Sequence, residues 1–147
     1  MSTTLNFLKT RTATFKLTND VVVQQQVLDF SLINAASTEK VGAIVIPAGA
    51  LVLGTSMTVL TPGTSGSSGK LGDEDADTNW QNTSLALDAV ANTTKFSLPG
   101  DTNPALGGKF YPTATQLSVK LSAHAQTALK LAVTARYMIL NAVANAT

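Results

Sequence analysis

Leu129-Lys130-Leu131-Ala132-Val133-Thr134-Ala135-Arg136-Tyr137-Met138-Ile139-Leu140 puts an apolar side chain at every odd position of the run. In an extended chain successive side chains point to opposite faces, so positions 129, 131, 133, 135, 137 and 139 line one buried face of a strand. A helix would scatter the same residues around its axis. Just upstream, Thr115-Gln116-Leu117-Ser118-Val119-Lys120-Leu121-Ser122 turns Leu117, Val119 and Leu121 to one side. Between the two runs lies Ala123-His124-Ala125-Gln126-Thr127, a common hairpin-loop length, which predicts that the two strands pair directly.

The same patterning extends toward the N-terminus. In Thr12-Ala13-Thr14-Phe15-Lys16-Leu17-Thr18 the apolar positions 13, 15 and 17 alternate with polar ones, and Asn19-Asp20 closes the run with turn chemistry. Val21 to Ile33 fits neither period cleanly and reads as one interrupted strand. Val41-Gly42-Ala43-Ile44-Val45-Ile46, Pro47-Ala48-Gly49 and Leu51 to Leu60 read as strand, tight corner, strand, with a bend at Gly54. Thr61 to Gly69 is a Gly/Ser loop with nothing to bury. Leu85 to Val90 fits a short strand or one helical turn, and Lys95 to Leu98 is a brief strand ended by Pro99-Gly100.

About eight strands separated by turns in 147 residues predict an all-β fold, an antiparallel β-sandwich or jelly-roll-like single domain with an N-terminal arm. The expected division is 1–18 for the arm and first strand and 19–147 for the sandwich. The expected core includes Phe15, Leu17, Ile44, Ile46, Leu117, Val119, Leu121, Leu131, Val133 and Tyr137.

Composition narrows the function classes. The chain is 44% hydrophobic and 13% charged, with net charge +1, no cysteine and one histidine. Average domains carry about 25% charged residues. Ten scattered basic residues against nine acidic ones argue against nucleic acid as a partner, because phosphate contacts need clustered Lys and Arg. No apolar stretch reaches the roughly 18–20 residues of a membrane span, and Met1 to Asn6 lacks a signal-peptide layout, so the expectation is a soluble chain made in the cytoplasm. Without Cys there is no disulfide, thiol nucleophile or thiolate metal site, and no motif asks for a cofactor. We therefore expect no enzymatic activity.

Four features compete with that expectation. Asp73, Asp75 and Asp77 alternate as at the start of a calcium loop, yet the sixth place is Thr78 rather than Gly and the twelfth is Ser84 rather than Glu, which excludes an EF-hand. They are the metal candidate, set against a solvated acidic turn, and the only basis for a cation-dependent hydrolase. His124 sits between two alanines with no neighbouring carboxylate and reads as a solvated loop histidine. Asn82-Thr83-Ser84 and Asn92-Thr93-Thr94 match a glycosylation triplet but lack a secretion signal. Trp80 suits a core or subunit-interface anchor better than a stacking platform, and one Trp with two Tyr gives a carbohydrate-binding module few platforms.

Two features point to partners. Lys9, Arg11 and Lys16 make the first sixteen residues basic, suited to docking on an acidic partner or to a solvated terminus. Met138 and Leu140 fall on the nominally polar face of the last strand, an apolar excess that marks an interface and a homo-oligomer, a trimer by preference.

The run Ala43-Ile44-Val45-Ile46-Pro47-Ala48-Gly49-Ala50-Leu51-Val52-Leu53, with Leu71-Gly72-Asp73 and the closing Val133-Thr134-Ala135-Arg136-Tyr137-Met138, resembles small structural proteins of tailed bacteriophages. The similarity spans residues 41–80 and 128–140. It implies a virion building block, often a trimeric β-sandwich, acting as a head decoration (cement) protein or as a head or tail fibre component. It transfers no catalytic residue. The implied partners are other copies of the chain and the major capsid protein, and the implied location is the phage head surface. The N-terminal arm, Ser2 to Lys16, is the part expected to order on the shell, adding a strand to a partner's sheet edge.

Overall fold

The computed structural model describes residues 20–81, 84–97 and 108–140. The arm with Lys9, Arg11 and Lys16, the strand read at 12–18 and the core positions Phe15 and Leu17 lie outside the described residues.

Among the described residues nine strands and one helical turn follow in order: β1 (Val22–Asp29), α1 (Phe30–Ile33), β2 (Lys40–Ile46), β3 (Ala50–Thr61), β4 (Ser68–Gly72), β5 (Leu85–Ala86), β6 (Thr94–Ser97), β7 (Lys109–Tyr111), β8 (Thr115–Ser122) and β9 (Lys130–Ile139). They form two antiparallel sheets. One has the order β1-β9-β3-β6, with β7 also paired to β3, and the other the order β2-β8-β4-β5. The chain changes sheet at nearly every connection, which is the jelly-roll arrangement.

The alternation read from sequence sets the inner faces. Leu131, Val133, Ala135 and Tyr137 of β9 face Leu117, Val119 and Leu121 of β8 across the interior, with Ile44 and Ile46 of β2 and Val52, Met57 and Val59 of β3, all buried. Each such side chain contributes roughly 1.5–3 kcal/mol on burial. All eight expected core residues that fall within the described segments are buried.

Two local expectations change. β8 and β9 are not a hairpin: β8 pairs with β2 and β4, and β9 with β1 and β3. Alternation says which face of a strand is dry but not which strand lies beside it, and both strands bury that face against each other from opposite sheets. The connection is an arch pinned by buried Gln126. Its N–H donates to Ala35 O (2.9 Å), its Nε2 donates to His124 O (3.2 Å) and its Oε1 accepts from Thr64 N (3.1 Å).

Val21 to Ile33 is not an interrupted strand either. β1 runs unbroken through the three glutamines and stops at Asp29, whose Oδ1 accepts from Ser31 N (3.0 Å) and Ser31 Oγ (2.6 Å) and so caps α1. Asn34 ends the turn in the left-handed region (φ 53°). The apolar run Val41 to Ile46 departs from strict alternation because the register slips between Gly42 and Ile44, which brings both Val41 and Ile44 inward. The bend predicted at Gly54 is present as a register shift between Val52 and Gly54.

The corner Pro47-Ala48-Gly49 carries the chain from one sheet to the other. Gly49 has φ +80°, a conformation that costs a side-chain-bearing residue 1–2 kcal/mol or so. Its N–H donates to Tyr111 O (2.8 Å) and its carbonyl accepts from Leu140 N (2.7 Å), which ties the corner to β7 and to the end of β9.

Candidate interaction surface

The acidic turn folds inward rather than into solvent. Gly72 ends β4, and the turn packs back on it so closely that an added Cβ would overlap the Ala76 carbonyl oxygen and the Asp77 backbone. Asp73 is completely buried. Its Oδ1 accepts from Asp75 N (3.0 Å), Ala76 N (3.1 Å) and Asn79 Nδ2 (2.7 Å). Its Oδ2 accepts from Lys109 Nζ (2.8 Å) and from the Tyr111 hydroxyl, which in turn accepts from Trp80 Nε1 (2.9 Å). Because Lys109 and Tyr111 belong to β7, this knot fastens one sheet to the other.

Charges in the knot follow from its geometry. Burial pushes the Asp73 carboxyl upward, but donation from Lys109, Tyr111, Ala76 N–H and Asn79 outweighs it and holds the group below the ordinary carboxylate range. Burial opposes the charge of Lys109, and the Asp73 and Asp75 carboxylates more than restore it, so its ammonium is held above its usual value. Burial and the adjacent Asp73 carboxylate push the Tyr111 hydroxyl well above its usual range, keeping it a donor.

The three candidate metal ligands are thus each engaged by a lysine. Asp73 and Asp75 share Lys109, at 2.8 and 3.1 Å, and Asp77 pairs with Lys40 at 2.8 Å, which lowers its carboxyl. Among the described residues no group of three His, Cys, Asp or Glu side chains is arranged to hold a metal ion. His124 is exposed in the β8–β9 arch. Trp80, Tyr111 and Tyr137 are all interior, so Phe96 and Phe110 are the exposed aromatic rings among the described residues.

Those two rings mark the surface that stands out. The outer face of the β1-β9-β3-β6/β7 sheet can be read strand by strand from its register. Val23, Gln25 and Val27 of β1 oppose Arg136, Thr134 and Ala132 of β9. Met138 of β9 opposes Leu51 of β3, and Arg136, Thr134 and Ala132 oppose Gly54, Ser56 and Thr58. Phe110 of β7 flanks Leu51 and Phe96 of β6 flanks Ser56. Val23 (63%), Phe96 (57%), Phe110 (46%) and Val27 (44%) are exposed.

Apart from the rim pair Asp29–Lys130 (3.7 Å), Arg136 is the one charge on this face among the described residues. It extends across Gly54 beside a shallow cleft lined by Phe96, Ser56 and Thr134. Aromatic residues, Met and Arg without Lys, Glu or Asp is the composition of an interface core. Met138 lies within the face, and Leu140 follows it half-buried just past β9. The sequence signalled only those two. Phe96 and Phe110 were missed because each sits in a short strand between turns, and Val23 and Val27 because the triplets Val21-Val22-Val23 and Gln24-Gln25-Gln26 hide the alternation.

The fold has known counterparts. The chain is similar to a chain of the cyanophage Pam1 capsid asymmetric unit (TM-score 0.62, 18% identity, covering 83% of this chain and 86% of that one). It is also similar to a chain of the acidic stable capsid structure of Helicobacter pylori bacteriophage KHP30 (TM-score 0.59, 14% identity, covering 83% and 90%). A third likeness is to the capsid of Ralstonia phage GP4 (TM-score 0.56, 13% identity, covering 83% and 86%). This chain shares its fold with chains of three phage capsids. No family model matches the sequence, and no curated protein matches it.

Proposed function

We propose that this protein is a bacteriophage capsid decoration (cement) protein that binds the assembled head and stabilises it by bridging coat subunits. The observation that carries the reading is the nearly uncharged outer face of the β1-β9-β3-β6/β7 sheet, with exposed Phe96 and Phe110 at one side, Val23 and Val27 at the other and Arg136 between them. Jelly rolls also occur in lectins and cupins, so the architecture alone does not choose a role. The choice is supported by two further facts. The three fold neighbours come from capsids, and each match spans most of both chains, so the neighbours are chains of similar length built on one jelly roll. The face also leaves Val23, Val27, Phe96 and Phe110 exposed, the kind of apolar surface that a partner covers.

In this role the protein is a homotrimer on the head surface, with Met138 and Leu140 at or near the contact between copies and Lys9, Arg11 and Lys16 of the arm contacting the shell. It carries binding and no catalysis. Many modest contacts made by a multivalent trimer multiply into tight retention.

The test is co-sedimentation of the purified protein with heads from which it is absent. The wild type is expected to pellet with heads and to raise the temperature at which they release DNA. Phe96→Asp combined with Phe110→Asp, both exposed and outside the core, should leave the circular dichroism spectrum and melting unchanged while abolishing binding. Binding by this variant at wild-type strength would contradict the assignment of the face. Attachment to the tail tip alone would replace it with the fibre or adhesion reading.

A further inference from the structure

The outer face of the β2-β8-β4-β5 sheet has the opposite character. Its register sets Lys40 directly opposite Lys120 and Lys120 directly opposite Lys70, so three ammonium-bearing side chains stand in one row across β2, β8 and β4. Directly opposed partners in adjacent strands have their Cα atoms about 4.5–5.5 Å apart, and like charges there destabilise the sheet. The chain has ten basic residues in all, and grouping three of them in one row is unfavourable for the isolated fold.

The row is offset only in part, by Asp77, which pairs with Lys40 and whose carboxylate also feels the charge of Lys120. Lys40 Nζ is taken by the Asp77 carboxylate (2.8 Å) and the Asp73 carbonyl (3.3 Å). Lys120 Nζ donates to the Thr38 carbonyl (2.6 Å), a neutral acceptor. Lys70 makes no ion pair or hydrogen bond among the described residues. Beside Lys70 and Lys120 opens a cleft of about 550 Å³, lined also by Thr38, Ser68, Ser84, Ser122 and the Asp77 side chain. Ser68 and Ser122 are themselves direct cross-strand partners one step along the same face, their hydroxyls 3.3 Å apart.

We propose that this cleft is a binding site for a compact, multiply charged oxyanion of the phosphate class, held by Lys70 and Lys120 and by the hydroxyls of Ser68, Ser84 and Ser122. Several oxygens on one centre match two ammonium groups and three hydroxyl donors arranged around a concave surface, whereas a single carboxylate offers two oxygens. Asp77 does not oppose the ligand's charge unpaired, because Lys40 neutralises it. The bound anion removes the repulsion along the row, so occupancy stabilises the fold. The site lies on the other sheet from the proposed shell contact, and it stands or falls independently of that reading.

The experiment is thermal melting in low-salt buffer with inorganic phosphate or pyrophosphate, against sodium chloride and sodium citrate at matched ionic strength. Pyrophosphate is expected to raise the wild-type Tm by about 3 °C or more over chloride, as a ligand well above its Kd does for a chain of this size. Lys70→Gln is expected to melt higher than the wild type in low-salt buffer without the anion, since the row loses a repelling charge, and to lose the pyrophosphate response. Lys95→Gln, on the other sheet, should keep that response. Equal effects of chloride and pyrophosphate would mean charge screening only and would overturn the site. Stabilisation by citrate but not by phosphate or pyrophosphate would overturn the ligand class, and an undiminished response in Lys70→Gln would overturn the residues named.

Discussion

Asp73 shows how one residue can look like a ligand in sequence and act as a clasp in the fold. Its carboxylate receives five donors, and the two on Oδ2 come from the opposite sheet, so its neutralised form has little to offer the structure. Asp73→Asn keeps the shape but leaves Lys109 and the Tyr111 hydroxyl facing an amide, and breaking a buried pair in this way costs about 3 kcal/mol or more. Urea unfolding at neutral pH is expected to show that loss. The pH dependence follows from the depressed carboxyl. The unfolded state takes up the proton first, so the stabilisation is complete above the ordinary carboxylate value and is lost as pH falls below about 4, through the lower folded value. The wild type should therefore lose stability steeply in that range, and Asp73→Asn should show a shallower acid limb. Gly72→Ala is the companion test. Its new Cβ meets the Ala76 carbonyl and Asp77 backbone, so the turn must move and the clasp opens, seen as a lowered Tm comparable to that of Asp73→Asn.

At the scale of the strand, pairing is the property that tests the architecture. Gln25 and Thr134 are direct partners across β1 and β9, on the outer face. Opposed Cα atoms at about 4.5–5.5 Å fall within disulfide range. Gln25→Cys with Thr134→Cys should close under mild oxidation, read as a loss of free thiol in the intact monomer. Failure to close would point to β8 as the neighbour of β9. Gln126→Ala removes the pin of the arch and leaves Thr64 N–H without its partner, an expected loss of about 1–3 kcal/mol in urea unfolding. The same elements show what is legible in a sequence. Leu117, Val119, Leu121, Leu131 and Val133 declared their buried face by alternation, which depends only on neighbours in the chain. The choice of sheet for β8 and β9 depends on residues far away, and a five-residue loop fits either a hairpin or an arch. Asp73 was visible as an acid but not as a buried one, since its partners Lys109 and Tyr111 lie in a turn-rich stretch more than thirty positions on. Phe96 and Phe110 become a surface only once β6 and β7 are placed along β3.

The whole molecule presents two unlike faces. One sheet turns outward a nearly uncharged face with Val, Phe and Met around a single Arg, and the other a row of three lysines beside a hydroxyl-lined cleft. With a net charge of +1, many copies can sit side by side with little mutual repulsion. In the proposed role the first face would meet a shell, and the second would remain open to an anion. The central claim is that the β1-β9-β3-β6/β7 sheet is the side that meets coat subunits. A cryo-electron microscopy reconstruction of heads reassembled with the purified protein tests it most directly. Jelly-roll density is expected on the head surface at sites bridging neighbouring coat subunits, with Phe96, Phe110 and Arg136 against the shell. Density with that sheet turned to solvent, or copies found only at the tail, would contradict it.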